Sequence, residues 1–301
     1  MHSISQPQLF EPWQQYQHPA VRQLAFAVAS PNIIAVLPDE LELQHAFALH
    51  DAAFWQQQYQ RYIPRLQQLD QAPDELLAFL ATLKSTRLGL RFEMLMWFWL
   101  LDAQYHCFQL LGHSIQKIEG PKTLGELDFL ILNTETNQIE HWEVALKYYL
   151  AEADFSLQHW YGLNRSDTLF RKLNHFSQKQ FQFSDALDHQ IQKRYAVFKG
   201  QLYIPVEQQH NLPHWVNAAR RLGHWGYHIP QDQDYYRLQR QEWICVDATM
   251  SSPTPLWWTD GLYKASLSNE YYMFRHAPAL YHCPTIYKLE ASTYQTNGQS
   301  Q

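Results

Sequence analysis

Residues 125–150, GELDFLILNTETNQIEHWEVALKYYL, restrict the fold more than any other segment, because they predict two β-strands joined by a polar turn. Side chains on a strand point alternately to its two faces. One face of the second strand is wholly apolar and consists of Trp142, Val144, Leu146, Tyr148 and Leu150. A slip of one residue would turn these side chains to the other face, so the apolar row predicts the register of an antiparallel hairpin.

The other face of this hairpin carries charges. When the apolar faces are matched, Asp128 of the first strand lies on the same side as Glu143 and Lys147 of the second. At about 4 Å and an effective dielectric constant of about 20, two carboxylates repel each other by about 4 kcal/mol. A cation between them removes this cost, and Mg²⁺ (or Mn²⁺) binds one or two carboxylates together with waters and phosphate oxygens. The alternative is an exposed face with a cross-strand salt bridge, which contributes up to about 1 kcal/mol.

A third acid occurs in an apolar helical segment, where Glu93 is the only charged residue between Phe92 and Leu101. The residues three and four positions away cannot pair with it, namely Gly89, Leu90, Met96 and Trp97. A glutamate is almost never buried without a partner. We therefore expect Glu93 either to join the acid site as a third metal ligand or to pair with an arginine of another element.

The order of the predicted elements favours an α/β fold. Residues 21–84 carry apolar positions at helical spacing, and a fourth helix begins near residue 85. Three strands follow between residues 106 and 150, and then a helix over about 167–182 and a strand over 194–205. Strands placed between helices in this way predict a mixed sheet flanked by helices.

No glycine-rich linker or internal repeat divides the chain, so we expect one compact unit over residues 1–301. Its parts are a core at 85–205, a helical extension at 1–84 and an aromatic-rich C-terminal extension at 206–301. The tryptophans of this last extension favour core packing or a surface for a protein partner.

Composition narrows the functional classes. The net charge of −6 argues against an overall basic nucleic-acid footprint, although a local groove stays open. Three scattered cysteines support neither a disulfide framework nor a zinc ribbon. The most apolar run, Met94–Leu101, is far shorter than the ~20 residues of a membrane span, and the N-terminus lacks a signal-peptide pattern. We therefore expect a cytoplasmic protein that is not embedded in a membrane.

The hairpin motifs GELDFLI and WEVALK resemble those of the PD-(D/E)XK nuclease superfamily, in which a helix glutamate precedes an aspartate on one strand and a glutamate and lysine on the next. The resemblance implies a restriction-endonuclease-like fold for the core. It assigns metal binding to Glu93, Asp128 and Glu143, and the role of catalytic lysine to Lys147. The superfamily usually has its lysine two residues after the second acid, and that position is Ala145 here. Lys147 lies about 6.6 Å further along the same face.

The chain also resembles an uncharacterised bacterial family assigned to that superfamily, through HPAVRQLAFAVASPN, RLGLRFE, WEVALKYYL, DTLFRKL and FKGQLYIP. The function implied is Mg²⁺-dependent phosphodiester hydrolysis on nucleic acid. A catalytically inactive module that keeps the fold and binds nucleic acid or a protein partner is the alternative.

Basic residues follow one side of the helix predicted at 167–182, among them Arg171, Lys172 and Lys179. If this helix flanks the acids, the three cations are expected to bind a phosphate backbone, which supplies most non-specific nucleic-acid affinity. The alternative is an ordinary solvated helix face.

Overall fold

The computed structural model describes residues 9–206, 211–231, 234–245 and 258–277. Five α-helices lie in these ranges: α1 Pro19–Ala29, α2 Ala52–Gln71, α3 Asp74–Ala81, α4 Leu88–Leu101 and α5 Leu169–Gln178. The first seven strands are β1 Phe108–Glu119, β2 Lys122–Asn133, β3 Gln138–Ala151, β4 Trp160–Tyr161, β5 Asp185–Ala186, β6 His189–Gln190 and β7 Lys193–Pro205. Four more follow: β8 Gly223–Gly226, β9 Tyr235–Arg237, β10 Gly261–Ala265 and β11 Tyr271–Phe274.

One mixed sheet organises the described residues. Its strand order is β1-β2-β3-β7-β8-β11-β10-β9, and β4 pairs with the end of β3. The first three strands are antiparallel, whereas β7 is parallel to β3 and β8 is parallel to β7. The predicted order of a helix, three strands, a helix and a strand is therefore confirmed. These elements are α4, β1, β2, β3, α5 and β7.

The predicted hairpin register is confirmed, since β2 pairs antiparallel with β3 from Phe129 opposite Trp142 to Asn133 opposite Gln138. The apolar face of β3 packs in a core with α1, α2 and α4, in which Trp142 is fully buried. The opposite face is also covered, because Leu173 and Phe176 of α5 pack there with Ala145 and Tyr149 of β3. The alternative prediction, an exposed face with a cross-strand salt bridge, is therefore wrong at Glu143, which is 0% exposed.

The N-terminal region departs from the prediction at the start of α2. The apolar spacing of residues 40–63 predicts a helix, but α2 begins at Ala52, where the Asp51 carboxylate accepts a hydrogen bond of 2.7 Å from Phe54 N. Upstream of this cap, Ala48 forms a parallel bridge with Tyr195 of β7. Pairing with the start of β7, on the side away from β3, overrides the local helical pattern there. Pro64, a predicted break, lies inside α2.

The helix predicted at 167–182 is shorter than expected. Thr168 caps α5, because its side-chain oxygen accepts a hydrogen bond of 3.1 Å from Arg171 N. The helix ends at Gln178 and is followed by a short 3-10 helix, Gln180–Gln182.

The C-terminal extension continues the sheet through β8, β11, β10 and β9. Aromatic side chains of these strands are buried, among them Trp225, Tyr235, Tyr263, Tyr272 and Phe274. Residues 207–210, 232–233, 246–257 and 278–301 of the extension lie outside the described residues. None of the helices in the described part of the chain is long and apolar enough to cross a membrane.

Gly200 of β7 provides a test of the central strand pairing. It has a φ of +124°, and a Cβ atom there would collide with the carbonyl oxygen of Lys147 on β3. We expect Gly200→Ala to lower the free energy of unfolding by at least about 3 kcal/mol, because both the backbone conformation and the strand separation exclude a side chain.

Gly89 of α4 is the matched control, since a Cβ atom there would meet nothing within 4 Å. Alanine favours helix over glycine, so Gly89→Ala should raise stability by about 0.5–1 kcal/mol. Urea denaturation measures both values. Equal stability of wild type and Gly200→Ala would contradict the close β3–β7 contact.

Candidate active site where β2 and β3 separate

Two acidic side chains replace backbone pairing at the point where β2 and β3 separate. The ladder ends at Phe129 and Trp142. One residue further on, the carboxylate of Asp128 accepts a hydrogen bond of 2.8 Å from Val144 N, and Asp128 N donates one of 3.3 Å to Glu143 Oε1. Asp128 and Glu143 therefore lie side by side, as the register predicts, and each carboxylate binds the backbone of the other strand.

The carboxylate of Glu143 is enclosed by side chains. Its Oε1 lies 2.6 Å from Nε2 of His141, and its Oε2 accepts a hydrogen bond from the side-chain amide of Gln180. Burial lowers the pKa of His141 to about 3. The imidazole is therefore neutral, and its Nε2 forms a hydrogen bond with the carboxyl group of Glu143.

Lys172 of α5 is the cation of this site. Its Nζ donates a hydrogen bond of 2.7 Å to Oε1 of Gln180, whose amide holds Glu143. Burial lowers the pKa of Lys172, and the charges of Glu143 and Asp128 oppose that shift. Gln180 thus links the lysine and the buried glutamate in one hydrogen-bonded chain.

The pKa values of both carboxyl groups are raised. Burial is the main cause for Glu143, and the charge of Lys172 counteracts it. For Asp128, burial raises the pKa and the negative charge of Glu143 raises it further, with a smaller contribution from Glu93. A cation at this point would relieve the desolvation and the repulsion together.

Glu93 approaches from α4. Its Oε1 lies 2.9 Å from Nε2 of His113 on β1 and accepts a weaker hydrogen bond of 3.4 Å from the Ser114 hydroxyl. Its partner is thus His113, whereas the alternative to metal binding had been pairing with an arginine. The His113 ring is stacked on Trp97 of α4, with the ring centres 4.1 Å apart.

Ser114 has a left-handed backbone conformation, with φ of 49°. It lies between the pairs His113–Phe129 and Ile115–Leu127, and so faces Asp128 across the β1–β2 ladder. Such a conformation costs a non-glycine residue about 1–3 kcal/mol and is concentrated at functional sites. The strain in β1 therefore coincides with the acids.

Lys147 has a different partner. Its Nζ donates a hydrogen bond of 2.6 Å to Asp167, which also accepts one of 3.3 Å from the Tyr149 hydroxyl. The other two predicted phosphate-binding cations, Arg171 and Lys179, are exposed. The guanidinium of Arg171 donates to the Ser166 carbonyl oxygen.

The donor set of the site fits Mg²⁺ in its two-carboxylate mode. Asp128 and Glu143 supply hard oxygen atoms, and Mg²⁺ completes its coordination with waters and phosphate oxygens. Within the ranges that the structure describes, no group of three or more histidine, cysteine, aspartate or glutamate side chains is arranged to hold a metal ion. Glu93 thus stands beside the pair without forming a three-residue ligand set.

Sequence reasoning missed Gln180, His113 and Ser114. The helical pattern assigned Lys172 to a basic surface, and only the position of α5 over β3 brings it to the acids. The one available signal was the alternation that put His141 on the same face as Glu143.

The raised pKa values predict how stability depends on pH in the absence of metal. The folded protein keeps the proton of Asp128 to higher pH than the unfolded chain, whose aspartates titrate near ~4. Stability is therefore highest below that value and is lost as pH rises towards the raised pKa. Asp128→Asn should therefore stabilise the metal-free protein at pH 8 and have little effect at pH 4.

Urea denaturation in the presence of a chelator measures this difference at the two pH values. Asp39→Asn serves as the control, since the Asp39 side chain is 87% exposed. An Asp128→Asn protein that is less stable than wild type at pH 8 would contradict the unfavourable burial of this carboxylate.

One of three comparisons with known proteins, the one with protein families, found a match, and it covers most of the chain. No curated protein and no solved structure matched it. Residues 22–276, which contain α2 to α5 and every strand of the sheet, match the family described as a domain of unknown function, DUF1853. The chain belongs to the DUF1853 family.

Proposed function

We propose that this protein is a metal-dependent nuclease of the PD-(D/E)XK type, which hydrolyses phosphodiester bonds in nucleic acid. The observation that carries the proposal is the pair Asp128 and Glu143, held side by side where β2 and β3 separate, with the amine of Lys172 connected to them through Gln180. The order α4, β1, β2, β3, α5 and β7 agrees with the core that the sequence resemblance implies.

Asp128 and Glu143 would hold Mg²⁺ or Mn²⁺, with Glu93 next to them. When bound, the ion supplies Lewis-acid polarisation of a phosphoryl oxygen. The hydrogen bonds from Val144 N and from the Asp128 backbone orient the two carboxylates before any ligand arrives. His141 and Gln180 prevent the buried Glu143 from rotating.

Lys172 takes the role that the resemblance gives to a lysine on β3. The usual position is Ala145, and Lys147 is engaged with Asp167. From the adjacent helix, the ammonium group of Lys172 stabilises negative charge that develops on the phosphate and orients the attacking water. Arg171 and Lys179, exposed at the same helix, bind the backbone phosphates on either side.

The catalytically inactive module remains the second candidate. It is favoured by the engagement of both Glu143 oxygens by protein groups and by the pairing of Lys147 with Asp167. In that case the fold binds nucleic acid or a protein partner without turnover. The two candidates differ in metal binding and in cleavage.

Metal binding is expected to depend on the acid pair. Because a ligand stabilises by RT ln(1 + [L]/Kd), Mn²⁺ at 100 times its Kd should add about 2.7 kcal/mol to the free energy of unfolding of the wild type. Asp128→Asn and Glu143→Gln should abolish this increase, whereas Asp39→Asn should retain it. Titration calorimetry and urea denaturation measure the effect. The absence of any Mn²⁺ or Mg²⁺ binding at millimolar concentration would overturn the metal site.

The lysine assignment predicts a difference between two variants. Lys172→Ala should lower the rate of Mg²⁺-dependent cleavage by a factor of about 10²–10³, because it removes a positioned charge from the transition state. Lys147→Ala should reduce it less, since its ammonium is paired with Asp167. Single-turnover cleavage of labelled single- and double-stranded DNA and RNA measures both rates.

Gln180→Ala separates positioning from charge, since it leaves Lys172 in place but removes the link to Glu143. We expect a smaller loss of rate and unchanged nucleic-acid affinity. If Lys172→Ala cleaves the substrate at the wild-type rate and Lys147→Ala does not cleave it, then Lys147 of β3 is the catalytic lysine and Lys172 is not. Wild-type protein without turnover on any of these substrates would favour the inactive module.

A further inference from the structure

A second polar site lies in the C-terminal part of the sheet, apart from the acids. A cavity of about 250 Å³ is bounded by the ends of β9, β10 and β11, by the short 3-10 helix Arg240–Trp243 and by the loop that follows β4. The residues that determine its chemistry are Arg237, Arg240, Arg275, Asp260, Trp243 and Leu163. None of these side chains belongs to the candidate active site.

The cavity wall is positively charged in a chain whose net charge is −6. Three arginines face one acid, Asp260, and that acid is already engaged. Its Oδ1 accepts hydrogen bonds of 2.7 Å and 2.8 Å from the backbone and ring nitrogens of His276, and its Oδ2 lies 3.8 Å from Arg275. In the part of the chain that the structure describes, neither Arg237 nor Arg240 forms an ion pair. Both side chains are exposed to solvent.

Each arginine is held in place by a separate contact. Arg237 donates a hydrogen bond of 3.2 Å to the Asp260 carbonyl oxygen and packs over Gly261, where a Cβ atom would lie 3.1 Å from its Nε. Arg275 donates one of 3.2 Å to the carbonyl oxygen of Leu163. These contacts reduce the conformational entropy that the side chains would lose when they bind a ligand.

Arg240 is placed by an aromatic ring. Its guanidinium carbon lies 4.8 Å from the ring centre of Trp243, a cation–π distance. The Trp243 carbonyl oxygen in turn accepts a hydrogen bond of 2.7 Å from the Tyr148 hydroxyl of β3. The cavity wall is thus tied to the central strand of the sheet.

We propose that this cavity is a binding site for a phosphoryl group. A guanidinium presents parallel N–H donors that match two oxygens of a phosphate, and several fixed arginines recognise such an anion better than a single mobile lysine does. The volume lies just below the ~300–1,000 Å³ of sites for drug-sized ligands. A phosphate with one sugar-sized group attached fits this space.

The phosphoryl group has two sources with the same chemistry, a free phosphorylated metabolite or the backbone of a nucleic acid. The loop after β4 contains both Leu163, whose carbonyl oxygen accepts a hydrogen bond from Arg275, and Asp167, whose carboxylate accepts one from Lys147. The proposal holds for either source and does not require the nuclease function.

The test compares two double variants that lose the same charge. Arg237→Gln with Arg240→Gln removes the unpaired guanidinium groups, while Lys84→Gln with Arg87→Gln removes two exposed cations near the start of α4. All proteins carry Asp128→Asn and are kept in a chelator, so that phosphate bridged by a metal at the acid pair does not contribute. Calorimetry with inorganic phosphate, adenosine 5′-monophosphate and a single-stranded oligonucleotide measures the affinities.

We expect saturable phosphate or monophosphate binding that is at least tenfold weaker in the Arg237/Arg240 variant and unchanged in the Lys84/Arg87 variant. Loss of oligonucleotide affinity in the first variant alone identifies a strand phosphate as the natural ligand, and loss restricted to the small ligands identifies a free metabolite. Equal affinities of the two double variants for every probe, or no binding at all, would overturn the proposal.

Arg240→Lys keeps the positive charge but removes the planar guanidinium group. This single variant still tests the proposal if the double variant does not fold. Because a lysine cannot form the bidentate contact, the affinity should fall between that of the wild type and that of the double variant. Circular dichroism establishes that each variant is folded. Wild-type affinity in a folded Arg240→Lys protein would exclude the fork recognition on which the proposal depends.

Discussion

The parallel pairing of β3 with β7 is the interaction on which the rest of the structure depends. It extends from Glu140 opposite Lys193 to Leu150 opposite Tyr203 and joins the N-terminal hairpins to the C-terminal strands. The two backbones approach each other at Gly200, where no side chain fits. Parallel strands are normally covered on both faces, and here α1, α2 and α4 pack on one face of β3 while α5 packs on the other.

Because both faces of β3 are covered, acidic residues of β2 and β3 that would otherwise be solvated are buried or half-buried, and their pKa values change. The charged face of β3 would be a routine surface if it met water, but α5 and the residues after it close it off. Glu143 and Asp128 lose hydration without gaining a full countercharge, and their pKa values rise for that reason. Burial of this kind costs stability, and proteins retain it where a ligand or a reaction uses it.

The hydrogen bonds around the acids suggest why the site holds its shape before a ligand binds. Backbone N–H groups, His141 and Gln180 share the oxygens of the two carboxylates, so that no buried oxygen of Glu143 is left without a donor. The same contacts compete with a metal ion for the oxygens. The proposed nuclease therefore requires a partial exchange of protein donors for the cation, whereas the inactive module does not.

The C-terminal strands add a second function to this framework in our proposal. Their sheet positions bring arginines from β9, the 3-10 helix and the end of β11 around one cavity, although these residues are up to 38 positions apart in sequence (237 to 275). The loop 162–168 contacts both the cavity and Lys147.

The sequence by itself determined the local features of this protein. The alternation along β2 and β3 was enough to predict the hairpin, its register and the juxtaposition of Asp128 and Glu143, because these depend on neighbours within one strand pair. The order of helices and strands was sufficient for the mixed sheet. The family to which the chain belongs followed from matched residues, and the nuclease chemistry remains a proposal.

Only the tertiary structure decided which groups accompany the acids. Lys172 and Gln180 come from a segment that could equally have formed a solvated surface, and His113 and Ser114 come from the opposite edge of the hairpin. The start of α2 at Ala52 depends on the bridge between Ala48 and Tyr195. Such contacts join elements far apart in the chain, and their energies depend on burial and packing that no periodic pattern within a single element records.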